Sequence, residues 1–293
     1  MAFNTPDQTT ATAANIGAAK GKMAVGPMLV GGFLAGAYIA FGGLLAIVVS
    51  SGLDPAQWGG ITALITGAVF PVGLMLVVIA GAELLTGNMA LVPLAAMRKK
   101  ITWAQVSANM FWVLIGNLAG SLFLAYFIAY KTGVIGAFTS DPASQSATYI
   151  RTAGIVTGKA LKETDTQIFL RAIGCNWLVC LAVWLAISAK DVVGKIFGIW
   201  FPILAFVALG FDHVVANMFF LPLGVFIGVP GVGWGDVVNN WVFAFLGNFV
   251  GAGVFVAAIY YYLHLHGKEE SEILPAGPAP DRPGIAVGAA GSE

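Results

Sequence analysis

Charged residues and cysteine are scarce in this 293-residue chain. Asp, Glu, Lys and Arg together make up 10% of it, where soluble domains have about 25%. The 14 basic and 14 acidic residues balance, which gives no sign of a nucleic-acid partner. The two cysteines, Cys175 and Cys180, have no histidine nearby and match no metal-binding spacing, so we interpret them as small packing residues. Hydrophobic residues make up 58% of the chain, with a mean hydropathy of +0.87, which excludes a soluble protein and predicts an integral membrane protein.

Long charge-free runs divide the chain into candidate membrane spans, each of which needs about 18 or more residues with few charges. The runs are residues 23–53, 55–82, 84–97, 101–130, 172–189, 196–211, 213–235 and 237–267. Glu83 alone separates the second run from the third, and Asp212 alone separates the sixth from the seventh. Joining each of these pairs predicts six transmembrane helices, with the second and the fifth broken.

The two halves of the chain repeat one another. Residues 83–94 read ELLTGNMALVPL and residues 212–223 read DHVVANMFFLPL, an offset of 129. Further on, the pattern of Trp, Asn and Gly residues between Trp103 and Gly120 recurs at an offset of 131. Because each copy holds three spans, an odd number, the second copy must enter the membrane inverted. The sequence therefore predicts an all-α integral membrane protein built from two inverted three-helix repeats.

The two predicted breaks favour an anion. A charged residue in mid-membrane is compatible only with irregular backbone that protein or water satisfies. After each break a half-helix restarts, and its N-terminal amides carry partial positive charge towards the midplane. Two such ends would face one central cavity that attracts an anion. We interpret Glu83 and Asp212 as loop supports that accept hydrogen bonds from freed backbone amides, with direct substrate contact as the alternative.

His213 is the one histidine predicted to lie in the membrane interior. It falls at the second break, beside Asp212 and close to Asn217. Ionisable groups at such depth are functional by default, so a proton-exchanging pore group is favoured over a hydrogen-bonded packing histidine. We group Asn217 with His213 as a candidate pore residue.

Lysine and arginine in the loops predict the topology. They lie before the first span, after the second, between the fourth and fifth, and after the sixth: Lys20, Lys22, Arg98, Lys99, Lys100, Lys190, Lys195 and Lys268. Both termini are therefore predicted to be cytoplasmic. The long connection that carries Arg151, Lys159 and Lys162 must then be external. The predicted regions are a cytoplasmic N-terminal segment 1–26, a channel domain 27–266 (repeat one 27–130, external connection 131–166, repeat two 167–266) and a disordered cytoplasmic tail 267–293.

Five segments resemble the formate/nitrite transporter family. They read GAELLTGNM (81–89), GNLAG (116–120), GCNWLVCLAVW (174–184), GFDHVVANMFFLPLG (210–224) and GNFVG (247–251). The resemblance covers nearly all of residues 27–266. It implies a homopentamer of aquaporin-like protomers in a bacterial-type inner or plasma membrane that conducts small monovalent anions.

The resemblance also implies roles for individual residues. It makes His213 the pore histidine, places Thr86 on a flexible loop at the first break, and lets Asn176 and Asn248 line the pore. It implies hydrophobic constrictions at Phe70, Leu74, Leu84 and Phe206. It implies a lysine in the outer vestibule, which Lys159 matches, with Lys162 as the competitor.

The expected function is a channel or transporter for formate, nitrite or hydrosulfide, linked to protons through His213. An anion alone would lose too much hydration in an apolar constriction, whereas the neutral weak acid could pass. No catalytic residue, cofactor or metal is predicted. An aquaporin-like channel for water or small neutral solutes is the alternative, although the restarts read Asn-Met-Ala and Asn-Met-Phe rather than Asn-Pro-Ala. A membrane enzyme using Asp212 with His213 lacks a plausible nucleophile or metal cluster.

Overall fold

The computed structural model describes residues 3–274. Helices joined by loops make up this part of the chain, and its one β-type contact is an isolated bridge between Phe3 and Ala189. Its principal helices are α1 (Pro6–Gly21), α2 (Val25–Ser50), α3 (Gly60–Gly81), α4 (Leu85–Met97), α5 (Trp103–Tyr130), α6 (Ala147–Thr157), α7 (Asp165–Ser188), α8 (Val192–Ala208), α9 (Val214–Phe226) and α10 (Trp234–Leu265). Single helical turns occur at Pro55–Trp58 and Glu270–Ile273.

Five helices are long and apolar enough to cross a membrane. They are α2, α3, α5, α7 and α10, which have 22 to 32 residues each. Large apolar side chains such as Val30, Phe111 and Phe201 are more than half exposed on the outside of the bundle. Such surface is stable in lipid but not in water. The chain is therefore an integral membrane protein, and α4, α8 and α9 are shorter apolar helices of 13, 17 and 13 residues within it.

The chain leaves helical geometry at the two positions where single acidic residues interrupt the apolar runs. Residues 82–84 separate α3 from α4, and residues 209–213 separate α8 from α9. Gly81 has φ +86° and Gly210 has φ +70°, a left-handed conformation that residues with a Cβ rarely adopt. Glycine at these two positions lets each helix end so that the next can start in a new direction.

Two helix pairs make very close backbone contacts. α2 packs along α5, and α7 packs along α10. A Cβ built on Gly120 of α5 would lie 1.9 Å from the Phe33 carbonyl oxygen, and one on Gly251 of α10 would lie 2.3 Å from that of Ile173. Glycine at these positions is what allows the backbones to touch. Gly116 with Gly120 and Gly247 with Gly251 have the GxxxG spacing that is typical of such contacts.

The connection 131–166 and the chain after α10 are partly helical. The connection contains a short turn at Pro142–Ser144 and then α6, whose helical path continues to Lys162. After α10 the chain turns back onto α1, where Ile273 is buried. Residues 275–293 of the predicted tail lie outside the described residues.

A carboxylate ties this returning segment to α1 and to the loop after α4. Glu270 accepts hydrogen bonds from Lys100 Nζ at 2.5 Å and from Asn15 Nδ2 at 2.8 Å. A second ion pair joins Lys268 to Asp7 at 2.5 Å. The two termini of the described chain are therefore held together by charge.

Acid is expected to loosen this contact. The hydrogen bonds from Lys100 and Asn15 lower the pKa of Glu270 below its usual value of 4.5. A carboxylate with a lowered pKa in the folded state contributes stability above its unfolded pKa and loses it as the pH falls through the folded value. The protection factors of residues 6–21 in hydrogen–deuterium exchange, which correct for the pH dependence of chemical exchange, should therefore be high at neutral pH and fall in acid, as Glu270 becomes protonated. Glu270→Gln should exchange faster at neutral pH, whereas equal protection in Glu270→Gln and the control Glu269→Gln would contradict the expectation.

Candidate functional site

The two helix restarts meet through one buried side-chain pair. Thr86, in the first turn of α4, places its Oγ1 at 2.8 Å from Nε2 of His213, which caps α9. His213 Nδ1 accepts a hydrogen bond from the Ala216 amide at 3.1 Å. Because an accepting Nδ1 carries no proton, the neutral ring must carry its proton on Nε2 and donate it to Thr86. The expectation of a flexible loop at Thr86 is wrong, because Thr86 is buried inside a helix. Both residues nevertheless lie beside the breaks, and the structure brings them together.

Aromatic side chains cover the imidazole on one side. Phe206 stacks on His213 with ring centroids 5.9 Å apart, and Phe70 meets the Phe206 ring edge-on at 5.8 Å. Both phenylalanines are 3% exposed. Together they cover the imidazole with a buried apolar surface, which we call the collar.

Two cavities approach this region. The Lys20 cavity has a volume of about 420 Å³, and Leu74 and Leu84 lie in its wall together with Lys20, Glu83 and Lys195. The Lys159 cavity has a volume of about 260 Å³, and its wall includes Phe70, Arg151, Lys159, Phe206, His213 and Asn217. The four candidate constriction residues are thus divided between the cavities, two in each wall.

A lysine–carboxylate pair lies at the first break. Lys20 Nζ donates to Glu83 Oε1 at 2.6 Å. Asn88 Nδ2 donates to the other carboxylate oxygen at 3.0 Å and also to Asn109 Oδ1 at 2.9 Å. Glu83 is 8% exposed, and both asparagines are buried. The negative charge of Glu83 is therefore matched by Lys20 and held by an amide.

The second break has the same arrangement. Lys159 Nζ donates to Asp212 Oδ1 at 2.7 Å, and Asp212 is fully buried. Asn217 Nδ2 donates to the same carboxylate oxygen at 2.9 Å and to Asn240 Oδ1 at 2.8 Å. Lys162 is exposed and lies in neither cavity wall. Of the two lysines considered for the vestibule, Lys159 is the one beside the break.

Sequence reasoning missed Lys20. It read this lysine only as a marker of topology, because Lys20 precedes the first repeat and its partner Glu83 lies 63 positions later. Asn109 and Asn240 are equivalent in the repeat, at the offset of 131, and no role was predicted for them. Their equivalence in the repeat, together with the equivalence of Asn88 and Asn217, was the signal that could have found them.

Two further asparagines hold the restarts in place. Asn117 Oδ1 accepts from the Leu85 amide at 2.9 Å, and its Nδ2 donates to the carbonyls of Gly32 and Glu83, each at 2.8 Å. The freed backbone amide at the start of α4 is therefore bonded by an asparagine of α5. The prediction that Glu83 and Asp212 accept from freed backbone amides is therefore wrong, because both carboxylates accept from lysine and asparagine side chains.

Asn248 repeats this arrangement in the second half. Its Oδ1 accepts from the Val214 amide at 2.8 Å, and its Nδ2 donates to the carbonyls of Ala172 and Asp212, each at 2.8 Å. Asn176 is also fully buried and donates to the carbonyls of Thr86 and Asn248, at 3.1 and 2.9 Å. The side-chain amides of Asn176 and Asn248 therefore donate hydrogen bonds to backbone carbonyls close to the His213–Thr86 pair. That Asn176 and Asn248 line a pore stays a prediction.

Sequence matches to known proteins point to one family. The formate/nitrite transporter family model matches residues 7–262. A probable formate transporter of Methanothermobacter thermautotrophicus is 48% identical over 90% of this chain and 98% of its own length. A formate channel of Bacillus thuringiensis is 44% identical over 89% of this chain and 96% of its own.

Solved channel structures share the fold. An FNT family ion channel superposes with a TM-score of 0.78 at 30% identity, covering 87% of this chain and 98% of that one. A pentameric formate channel with formate bound has a TM-score of 0.69 at 29% identity, covering 82% and 98%. These relatives are transporters and channels, not enzymes. The chain belongs to the formate/nitrite transporter family.

Proposed function

We propose that this protein conducts small monovalent weak-acid anions, formate first, and that His213 links their passage to protons. The observation that carries the proposal is the buried His213–Thr86 hydrogen bond at 2.8 Å beside an apolar collar. A proton-exchanging group is useful at such a place because a bare anion crossing it would lose its hydration, which costs several kcal/mol. The relatives named for formate make it the first substrate to test, followed by nitrite and hydrosulfide.

The two cavities would act as mouths on either side of this barrier. Each holds a lysine tied to a carboxylate, Lys20 to Glu83 and Lys159 to Asp212. Such a pair presents hydrogen-bond donors to an arriving anion while keeping the net charge low. His213 would first take up a proton from water to become imidazolium, then give it to the anion and return to the neutral ring, so that the neutral acid passes the collar of Phe70 and Phe206. The Phe70, Leu74, Leu84 and Phe206 side chains would exclude hydrated ions.

We infer the finer architecture on the same grounds. The chain would cross the membrane six times as two inverted repeats, 27–130 and 167–266, in an aquaporin-like protomer with both termini cytoplasmic in a bacterial-type plasma membrane. The paired contacts of Asn117 and Asn248, at an offset of 131, support equivalent folding of the two halves. A homopentamer would follow the matched pentameric channel, and the mass of the complex in detergent tests it.

Flux in proteoliposomes tests the function. Formate, nitrite and hydrosulfide uptake should each be saturable and accompanied by alkalinisation outside, measured with a pH-sensitive dye across a range of pH. Potassium should not compete. Liposomes that gain water permeability in stopped-flow experiments but no formate flux would contradict the proposal and favour the water-channel alternative.

Replacing His213 with phenylalanine is expected to abolish the proton signal that accompanies formate uptake. Phenylalanine fills similar space against Phe206 but neither donates to Thr86 nor carries a proton. The measurement is the ratio of protons to formate in the same liposomes. His266→Phe is the matched control, because His266 is exposed near the end of α10 and should leave the ratio unchanged. An unchanged ratio in His213→Phe would remove the imidazole from the mechanism.

A further inference from the structure

Three cationic side chains lie in the wall of the Lys159 cavity, and two of them are neutralised. Lys159 pairs with Asp212 at 2.7 Å, and Arg171 pairs with Glu163. The third cation is Arg151, from α6. The two ion pairs cancel, so the charge that an arriving anion meets in this cavity depends on Arg151.

Arg151 has only neutral partners in the described part of the chain. Its Nε donates to Ser50 Oγ at 2.8 Å, and its Nη2 donates to Thr66 Oγ1 at 3.1 Å. No carboxylate of residues 3–274 comes within ion-pair distance of it. Asp54 lies in the wall of an adjoining cavity of about 450 Å³ that also reaches Arg151, but it is exposed and makes no such pair.

The two hydroxyls are already oriented to receive the guanidinium. Ser50 Oγ donates to the Ala46 carbonyl at 2.6 Å, and Thr66 Oγ1 donates to the Thr62 carbonyl at 2.7 Å. Because each hydroxyl has one proton, each is left to accept from Arg151. The guanidinium is thus fixed in place by α2 and α3, and it keeps free N–H groups on both terminal nitrogens.

A half-buried guanidinium without a counter-charge is energetically unfavourable. Burial lowers the pKa of Arg151, yet a guanidinium keeps its charge in proteins. Burial also raises the pKa of Glu163, and protonating that carboxyl would only make the cavity more positive. An anion bound in the cavity would balance the positive charge of Arg151.

We propose that Arg151 is a binding subsite for planar oxyanions, and that it distinguishes formate and nitrite from spherical anions such as hydrosulfide. This inference rests on the proposed transport function and names a selectivity group within it. A guanidinium presents parallel N–H groups that match two oxygens of a planar anion, whereas a lysine acts as a point charge. The subsite lies in the same cavity as Phe70 and His213, so an anion held by Arg151 is positioned next to the collar.

Concentration dependence of uptake tests the subsite. Arg151→Gln should raise the KM for formate and nitrite about five-fold or more, which corresponds to about 1 kcal/mol, and should raise the KM for hydrosulfide much less. Arg151→Lys keeps the positive charge but lacks the parallel N–H groups of the guanidinium. The ratio of formate KM to hydrosulfide KM should therefore rise in this variant as well. Lys162→Gln removes one positive charge from the exposed continuation of the same helix and should leave the ratio unchanged.

The ratio of KM values decides the outcome, because it does not depend on how much protein folds or inserts. An unchanged ratio in both Arg151 variants overturns the subsite, as does an equal rise for all three anions. Where Arg151→Gln does not fold, the ratio in Arg151→Lys decides. A wild-type protein that carries none of the anions contradicts the proposed function, whereas wild-type flux with unaltered Arg151 variants contradicts the subsite alone.

Discussion

Replacing Asn248 with leucine is expected to lower the free energy of unfolding by about 3 kcal/mol or more. The leucine is similar in size but leaves the Val214 amide and the Asp212 carbonyl without their partner. Both groups are buried at membrane depth, where water is not available to replace the lost bonds. The midpoint of thermal unfolding in detergent, followed by tryptophan fluorescence, measures the loss.

Asn239→Leu is the matched control for Asn248→Leu. Asn239 lies on the same helix but is exposed, and its amide bonds Asp165 at the surface. Its replacement should change the stability by no more than about 0.5 kcal/mol. Asn117→Leu, at the equivalent position of the first half, should be as damaging as Asn248→Leu. Equal stability of the Asn239 and Asn248 variants would show that the restart does not depend on this amide.

Replacing Gly120 with alanine is expected to cost about 3 kcal/mol or more and to reduce the yield of folded protein sharply. The added Cβ would lie 1.9 Å from the Phe33 carbonyl oxygen and 2.9 Å from the Ala37 nitrogen. Both are backbone atoms of α2, so no side chain can turn away to relieve the overlap. The two helices must separate along their length, which also disturbs the Asn117 bonds to Gly32 and Glu83.

Gly26→Ala is the control for Gly120→Ala. Gly26 lies in the first turn of α2, and a Cβ there meets no atom within 4 Å. Alanine favours a helix over glycine by about 1 kcal/mol, so this variant should be as stable as the wild type or slightly more so. If Gly120→Ala unfolds at the same temperature as Gly26→Ala in detergent, the close contact between α2 and α5 does not limit stability.

Local features of the fold could be predicted because they depend on neighbouring residues. Glu83 and Asp212 stand out as lone charges in apolar runs, and the chain leaves helical geometry beside each of them. Gly120 follows Gly116 by four residues, a spacing that predicts close helix packing because residues four apart share a helix face. The repeat also relates the two halves of the chain to one another.

Contacts between distant elements could not be predicted from the same patterns. Lys20 contacts Glu83, 63 positions away, and Arg151 contacts Ser50, 101 positions away. Neither pair belongs to a periodic pattern in the sequence. Helix α6 was also missed, because its polar start, capped by Ser146, resembles the loop before it. Pairing of this kind depends on how the helices pack against one another, and no regular spacing in a single sequence indicates that packing.

The way in which His213 ends the loop before α9 restricts how the ring can acquire positive charge. A second proton must bind Nδ1, because Nε2 already carries the first. That same nitrogen accepts a hydrogen bond from the Ala216 amide at 3.1 Å. Because a protonated Nδ1 cannot accept it, charging the imidazole removes the N-terminal cap of α9. Proton storage and the backbone shape of residues 211–216 are therefore one coupled equilibrium, in which an anion that stabilises the charged ring also loosens the first turn of α9.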